Sequence, residues 1–253
     1  MRFVNRVSEL GRLDALVERG QGGLVALWGR RRVGKTRLLL AWSRRNDGLY
    51  SVADLSSEPV QRAYLAEALS LRFPGFGEAT WPDWRTLLRS LAREATRTLW
   101  RGPLILDELP YLVETSPSLP SVLQGWLDHE AKEAHLLVAI SGSTQHMMQG
   151  LTLGAASPLF GRAVAAMPIE PMSPQALGHA LGLGDAHDAV RAFAAWGGIP
   201  RYWELAEPFG RDLPEALDEL VLDPLGPLHL EPDRLLAEER PSAVSLRPLL
   251  DVI

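Results

Sequence analysis

Residues 23–45 read GLVALWGRRRVGKTRLLLAWSRR. Gly23 to Trp28 is an apolar run of strand length, Gly29 to Thr36 matches G-x-x-x-x-G-K-[ST], and Lys35 to Arg45 carries leucines at helical spacing. Strand, glycine loop and helix in that order make a phosphate cradle. The glycines admit conformations that turn successive N–H groups inward, at the positive end of the following helix. Lys35 would reach the β- and γ-phosphates of a nucleoside triphosphate, and the Thr36 hydroxyl would hold Mg²⁺. Arg30, Arg31 and Arg32 either add charge near the phosphates or form a solvated turn. A plain glycine turn is the alternative to the motif, and the flanking strand and helix argue against it.

Working outward, further strand-length apolar runs lie at Leu49–Ala53, Pro103–Leu106, His135–Ile140 and Ala163–Ile169. Helical spacing of Leu and Ala is found over Val60–Leu71, Trp84–Leu99 and Ser121–Glu133. Strands alternating with helices predict an α/β fold with a five-stranded, mostly parallel sheet. The first, third and fourth strands are almost wholly apolar, as burial on both faces requires. Phe73–Trp81 (FPGFGEATW) reads as a surface loop without assigned chemistry. After Pro171 the strand signals stop, and helices are expected at Pro174–Leu183, Ala186–Trp196, Arg201–Glu207 and Leu213–Val221. The expected domains are therefore a core over residues 1–171, a helical lid over 172–225, and a terminal segment over 226–253 whose last apolar pattern stops mid-element.

Composition sets the outer bounds. The chain has 253 residues with 26 Lys+Arg against 31 Asp+Glu, a formal charge of −5, which speaks against a globally basic nucleic-acid binder. It has no cysteine, so disulfides, thiol catalysis and thiolate metal sites are excluded, and the cytoplasm is the expected compartment. Residues 1–10 lack the apolar region of a signal peptide and no apolar run reaches membrane-spanning length, so no membrane association is expected. The six histidines are scattered without metal-ligand spacing, which leaves Mg²⁺ carried with the nucleotide as the expected ion.

The second chemical signal is Leu104–Glu108 (LILDE). Asp107 stands where a buried strand emerges and could bind Mg²⁺ opposite Thr36, while Glu108 would polarise an attacking water. An ordinary acidic turn before Pro110 is the competing reading. Asp followed by Glu favours a hydrolase over a phosphotransferase, which needs an acceptor pocket and must exclude water. The fourth strand runs into Ser141-Gly142-Ser143-Thr144, where a hydroxyl either senses the γ-phosphate or caps the short helix Gln145–Gly150. Arg162, between Gly161 and the last strand, is a surface arginine or one reaching the phosphates of its own or a neighbouring subunit's nucleotide.

The ordered set of motifs resembles the archaeal-type ATPases, a family of the ASCE division of P-loop NTPases within the AAA+ and STAND assemblage. The likeness rests on Phe3-Val4-Asn5-Arg6 with Glu9-Leu10, GRRRVGKT (29–36), LDELPYL (106–112), SGS (141–143), SPLFGR (157–162) and GGIPRYW (197–203). It implies ATP and ADP as ligands, held by residues 29–37, from Gly29 through Val33 and Gly34 to Arg37. It places Phe3, Asn5 and Arg6 near the adenine. Ser143 takes the sensor position, Arg162 the arginine-finger position, and Pro200 with Arg201 the lid motif over the nucleotide. Members usually continue into a winged-helix DNA-binding domain, which the terminal segment would begin. The expectation is thus an ATP-hydrolysing switch, with oligomerisation and a DNA or protein partner left open. A nucleotide-gated binding module is the alternative, and a small-molecule kinase is disfavoured by Glu108.

Overall fold

A computed structural model describes residues 6–154 and 157–239. The expectations at Phe3 and Asn5, and the apolar pattern over residues 246–253, lie outside them. The elements in order are α1 (Val7–Arg19), β1 (Gly23–Trp28), α2 (Lys35–Arg45), β2 (Leu49–Val52), α3 (Glu58–Ser70), α4 (Trp84–Thr98), β3 (Pro103–Asp107), α5 (Leu109–Thr115), α6 (Leu119–Asp128), α7 (Glu130–Glu133), β4 (Leu137–Gly142), α8 (Gln145–Leu153) and β5 (Ala163–Pro168). The helices α9 (Pro174–Ala180), α10 (Ala186–Trp196), α11 (Pro200–Ala206), α12 (Leu213–Leu217) and α13 (Glu231–Glu239) follow. The described chain divides into one unit of residues 6–30 and 35–169, and a second of residues 31–34 and 170–239.

In the first unit the sheet order is β2-β3-β4-β1-β5, with every pairing parallel. The three interior strands are buried almost throughout, whereas β5, on one edge, alternates and β2, on the other, is partly exposed. The five strands expected from sequence are present, with β4 shifted to include Ser141 and Gly142. His135 instead takes a positive φ in the turn before β4.

Local chemistry explains the helices around the sheet. Asp83 caps α4 by accepting from the Thr86 amide at 2.7 Å, and Trp84, Leu87, Leu88, Leu91, Ala92 and Ala95 make its buried stripe. The single helix expected over Ser121–Glu133 is two, α6 and α7, broken at His129. Pro110 lies in the first turn of α5, where a missing N–H costs nothing, so it starts a helix rather than ending an acidic turn. FPGFGEATW is not a surface loop throughout. Phe73 and Phe76 are buried in the main core, with Phe73 edge-on to Trp100 at 5.6 Å between ring centroids. Glycine and proline disguised an aromatic anchor as a turn.

The second unit has its own core of Met172, Leu177, Trp196, Trp203, Ala216 and Leu220. Trp203 donates its indole N–H to the Gly197 carbonyl at 2.7 Å, and the Met172 amide donates to Gly198 at 2.8 Å, which ties α11 to the entry of the unit. The helix expected over Leu213–Val221 is α12 running into a π-helical turn at Asp218–Leu222. No helix among the described residues is long and apolar enough to cross a membrane.

Candidate nucleotide site

The carboxyl edge of β1, β3 and β4 brings Lys35, Thr36, Asp107, Glu108, Ser141 and Ser143 together, because three parallel strands end there side by side. Gly29 follows β1 directly. A Cβ at Gly29 would stand 2.4 Å from the Ile169 carbonyl oxygen, so the first glycine of the motif is required by the close approach of the chain leaving β5. Gly29→Ala is expected to destabilise the fold by about 1–3 kcal/mol, lowering the thermal midpoint by roughly 2–12 °C. Differential scanning calorimetry of the two proteins checks it.

Lys35 is buried, and its ammonium donates to the carbonyls of Gly29 at 2.8 Å and Arg30 at 3.2 Å and to the Ser143 hydroxyl at 3.0 Å. Ser143 in turn donates to Glu108 through its hydroxyl at 2.5 Å and through its backbone N–H at 3.1 Å. Glu108 adopts φ 55°, ψ 45°, the left-handed turn that swings its side chain off β3 toward β4. Lysine, serine and glutamate are thereby linked across the sheet edge. The helix-cap reading of Ser143 is not realised: Thr144 holds the N-cap position of α8, without a side-chain cap, and the Ser143 hydroxyl faces Glu108.

Asp107 is fully buried, yet its carboxylate accepts from four donors. Thr36 donates to Oδ2 at 2.9 Å and Tyr50 to the same oxygen at 2.7 Å, while the Glu108 amide donates to Oδ1 at 3.0 Å, joined there by the Ser141 hydroxyl. Burial, and after it the adjoining Asp107 charge, raise the Tyr50 pKa, so the phenol remains a proton donor at neutral pH. Tyr50 and Ser141 are the partners that sequence reasoning did not assign to Asp107. Ser141 was visible as a polar strand end, whereas Tyr50 becomes legible only from the β2–β3 register.

The remaining candidates lie elsewhere. In the second unit Arg32, at φ 65°, pairs with buried Glu231 at the start of α13, and Tyr202 donates to the same carboxylate at 2.7 Å. Gly34 has φ 98°, a value suited to glycine, and the Pro200 ring lies 3.9 Å from where its Cβ would be. Val33 is buried, whereas Arg31 and Arg37 are exposed. Arg201 is exposed and pairs with Glu204 at 3.2 Å. Arg6 is buried at the N-cap of α1 and pairs with Glu9 at 2.6 Å.

Of the two alternatives expected for Arg162, the structure speaks against the one within its own chain. It precedes β5, and its pairing partner region on β1 is Leu24, so it stands at the amino edge of the sheet. A strand of six residues, about 20 Å at 3.3 Å per residue, separates that edge from Gly29. The phosphate loop of its own chain is out of reach. There it donates two 2.8 Å bonds to Asp128, and the guanidinium holds the Asp128 pKa below the usual carboxylate value.

A strand-loop-helix phosphate cradle with a buried lysine, beside an acidic strand end and with one strand inserted between them, defines a P-loop nucleotide-binding protein. The chain belongs to the family described as an ATPase domain predominantly from Archaea, which matches residues 3–205. It is 26% identical over 252 residues to an uncharacterized protein of Methanocaldococcus jannaschii, covering 99% of this chain and 54% of that one, so it spans about half the length of this curated relative. Among solved structures it is similar to the Walker-type ATPase of Pyrococcus abyssi (TM-score 0.66, 20% identity, 85% of this chain and 72% of that one). The ORC2 protein of Aeropyrum pernix in its ADP form gives a TM-score of 0.59 at 14% identity, over 86% of this chain and 69% of that one. A STAND protein of Pyrococcus horikoshii with a tetratricopeptide repeat sensor gives 0.52 at 16% identity, over 81% and 30%. These likenesses concern the fold.

Proposed function

We propose that this chain hydrolyses ATP with Mg²⁺ and uses the cycle as a switch. The observation that carries the reading is the Lys35–Ser143–Glu108 link beside the Thr36–Asp107 pair, which sets a phosphate-binding cation, a candidate base and two oxygen donors at one sheet edge. Those donors fit Mg²⁺. Among the described residues no cluster of three metal-ligating side chains exists, and Mg²⁺ needs none, since it keeps several waters and takes phosphate oxygens. Thr36 and Asp107 would hold the ion, which supplies charge neutralisation between the phosphates.

In this reading Lys35 binds the terminal phosphates, Glu108 orients and deprotonates the attacking water, and Ser143 couples the two. Residues 1–171 act as the catalytic core, residues 172–225 as the lid, and 226–253 as a terminal segment. Incubation with Mg-ATP should yield ADP and inorganic phosphate in equal amounts. A phosphorylated small molecule in place of free phosphate would instead make the protein a kinase.

One observation favours a second reading, a nucleotide-gated module that recruits DNA or a protein partner: both carboxylate oxygens of the half-buried Glu108 are already engaged by Ser143. Tight ATP binding without turnover, at high protein concentration and with added DNA, would decide for it. Arg162 adds a prediction on assembly. From the amino edge it can serve a neighbouring subunit's nucleotide, so turnover per chain should rise with protein concentration, and Arg162→Ala should abolish the rise while leaving the dilute rate unchanged. Rates measured across a hundred-fold dilution series check this.

A further inference from the structure

Asp107 is oriented from two sides. Ser141 and the Glu108 amide fix Oδ1 from the interior of the sheet, while Thr36 and Tyr50 converge on Oδ2, the oxygen that faces the start of α2. Three of the four donors belong to the phosphate-loop motif, to the central strand β4 or to the turn that leaves β3. Tyr50 alone comes from the edge strand β2. The register sets Tyr50 opposite Ile105 and Val52 opposite Asp107, so the phenol extends along one face of the sheet to the carboxylate two residues ahead. Phenylalanine keeps that ring and loses the bond, and a shorter hydroxyl side chain does not span the gap.

We propose that Tyr50 is a positioning residue of the metal corner: its hydroxyl holds the Asp107 carboxylate turned toward Thr36, and thereby sets how strongly Mg²⁺ tightens nucleotide binding. This rests on the ATPase reading above. A carboxylate that receives an ion or its water shell must present the same oxygen each time, and the partners that orient such ligands typically contribute about 10–100-fold to metal affinity. Thr36 cannot supply this orientation alone, because its own oxygen is the second donor and must turn toward the ion. With Tyr50 in place, the Thr36 hydroxyl can move while Asp107 stays.

The test is equilibrium binding of a fluorescent ADP analogue to the full chain over a Mg²⁺ series, with EDTA as the zero point, for wild type, Tyr50→Phe and Asp107→Asn. Tyr50→Phe should raise the Mg²⁺ concentration for half-maximal tightening by about ten-fold or more, with the metal-free affinity unchanged. A purely structural tyrosine would weaken binding equally with and without Mg²⁺, and that result overturns the inference. So does a half-maximal Mg²⁺ concentration equal to or below the wild-type value, the latter meaning that the phenol competes with the ion. If Asp107→Asn loses the Mg²⁺ effect while Tyr50→Phe keeps it, only the role of Tyr50 fails. If wild-type binding is indifferent to Mg²⁺, the metal assignment of Thr36 and Asp107 fails and the role of Tyr50 with it.

Discussion

Glu108→Gln is expected to lower ATP turnover by about 10²–10⁴-fold, the usual contribution of a positioned general base, while nucleotide binding stays near the wild-type level. The substitution is close to isosteric, and its geometry can be retained: the amide oxygen still accepts from the Ser143 N–H, which the carboxylate now does at 3.1 Å. What is lost is basicity. A side chain serving only as an anchor for Ser143 would leave turnover almost unchanged. Steady-state phosphate release, together with ATP affinity on the same preparation, separates the two.

Lys35→Met is expected to weaken ATP binding by about thirty-fold or more, since removing one partner of a buried charged contact costs about 2–5 kcal/mol. Methionine keeps much of the buried stem, so the fold should survive. The three groups that receive the ammonium, the carbonyls of Gly29 and Arg30 and the Ser143 hydroxyl, hold it at the loop. Its removal also frees Ser143, so residual turnover should fall along with affinity. Isothermal titration with ATP and circular dichroism of the variant measure binding and folding independently.

Much of this site can be read from sequence because its parts are local. Gly29, Lys35 and Thr36 lie in one motif, and Asp107 with Glu108 ends an apolar run whose burial on both faces forces it into the sheet interior. Parallel strands then bring these ends together without further information. Long-range partners escape such reading. The bond from Tyr50 to Asp107 depends on β2 lying beside β3 in a given register, and that from Arg32 to Glu231 joins residues far apart in sequence. For Arg162 the sequence left two alternatives open, its own phosphate loop or a neighbouring subunit's. Its place before a strand was legible, but the direction of that strand decides which edge it occupies, and parallel pairing with β1 sends it away from its own phosphate loop. The aromatic residues of FPGFGEATW failed for a local reason, since glycine and proline mark a turn without saying that Phe73 and Phe76 point into the core.

Hydrolysis of ATP through Glu108 is tested by the fate of ATP bound to Glu108→Gln beside the wild type, followed under single-turnover conditions with Mg²⁺. ATP should be converted to ADP and phosphate on the wild type, and should remain bound and intact on the variant over the same interval. Equal conversion by both proteins, or none by the wild type at any protein concentration, would contradict it.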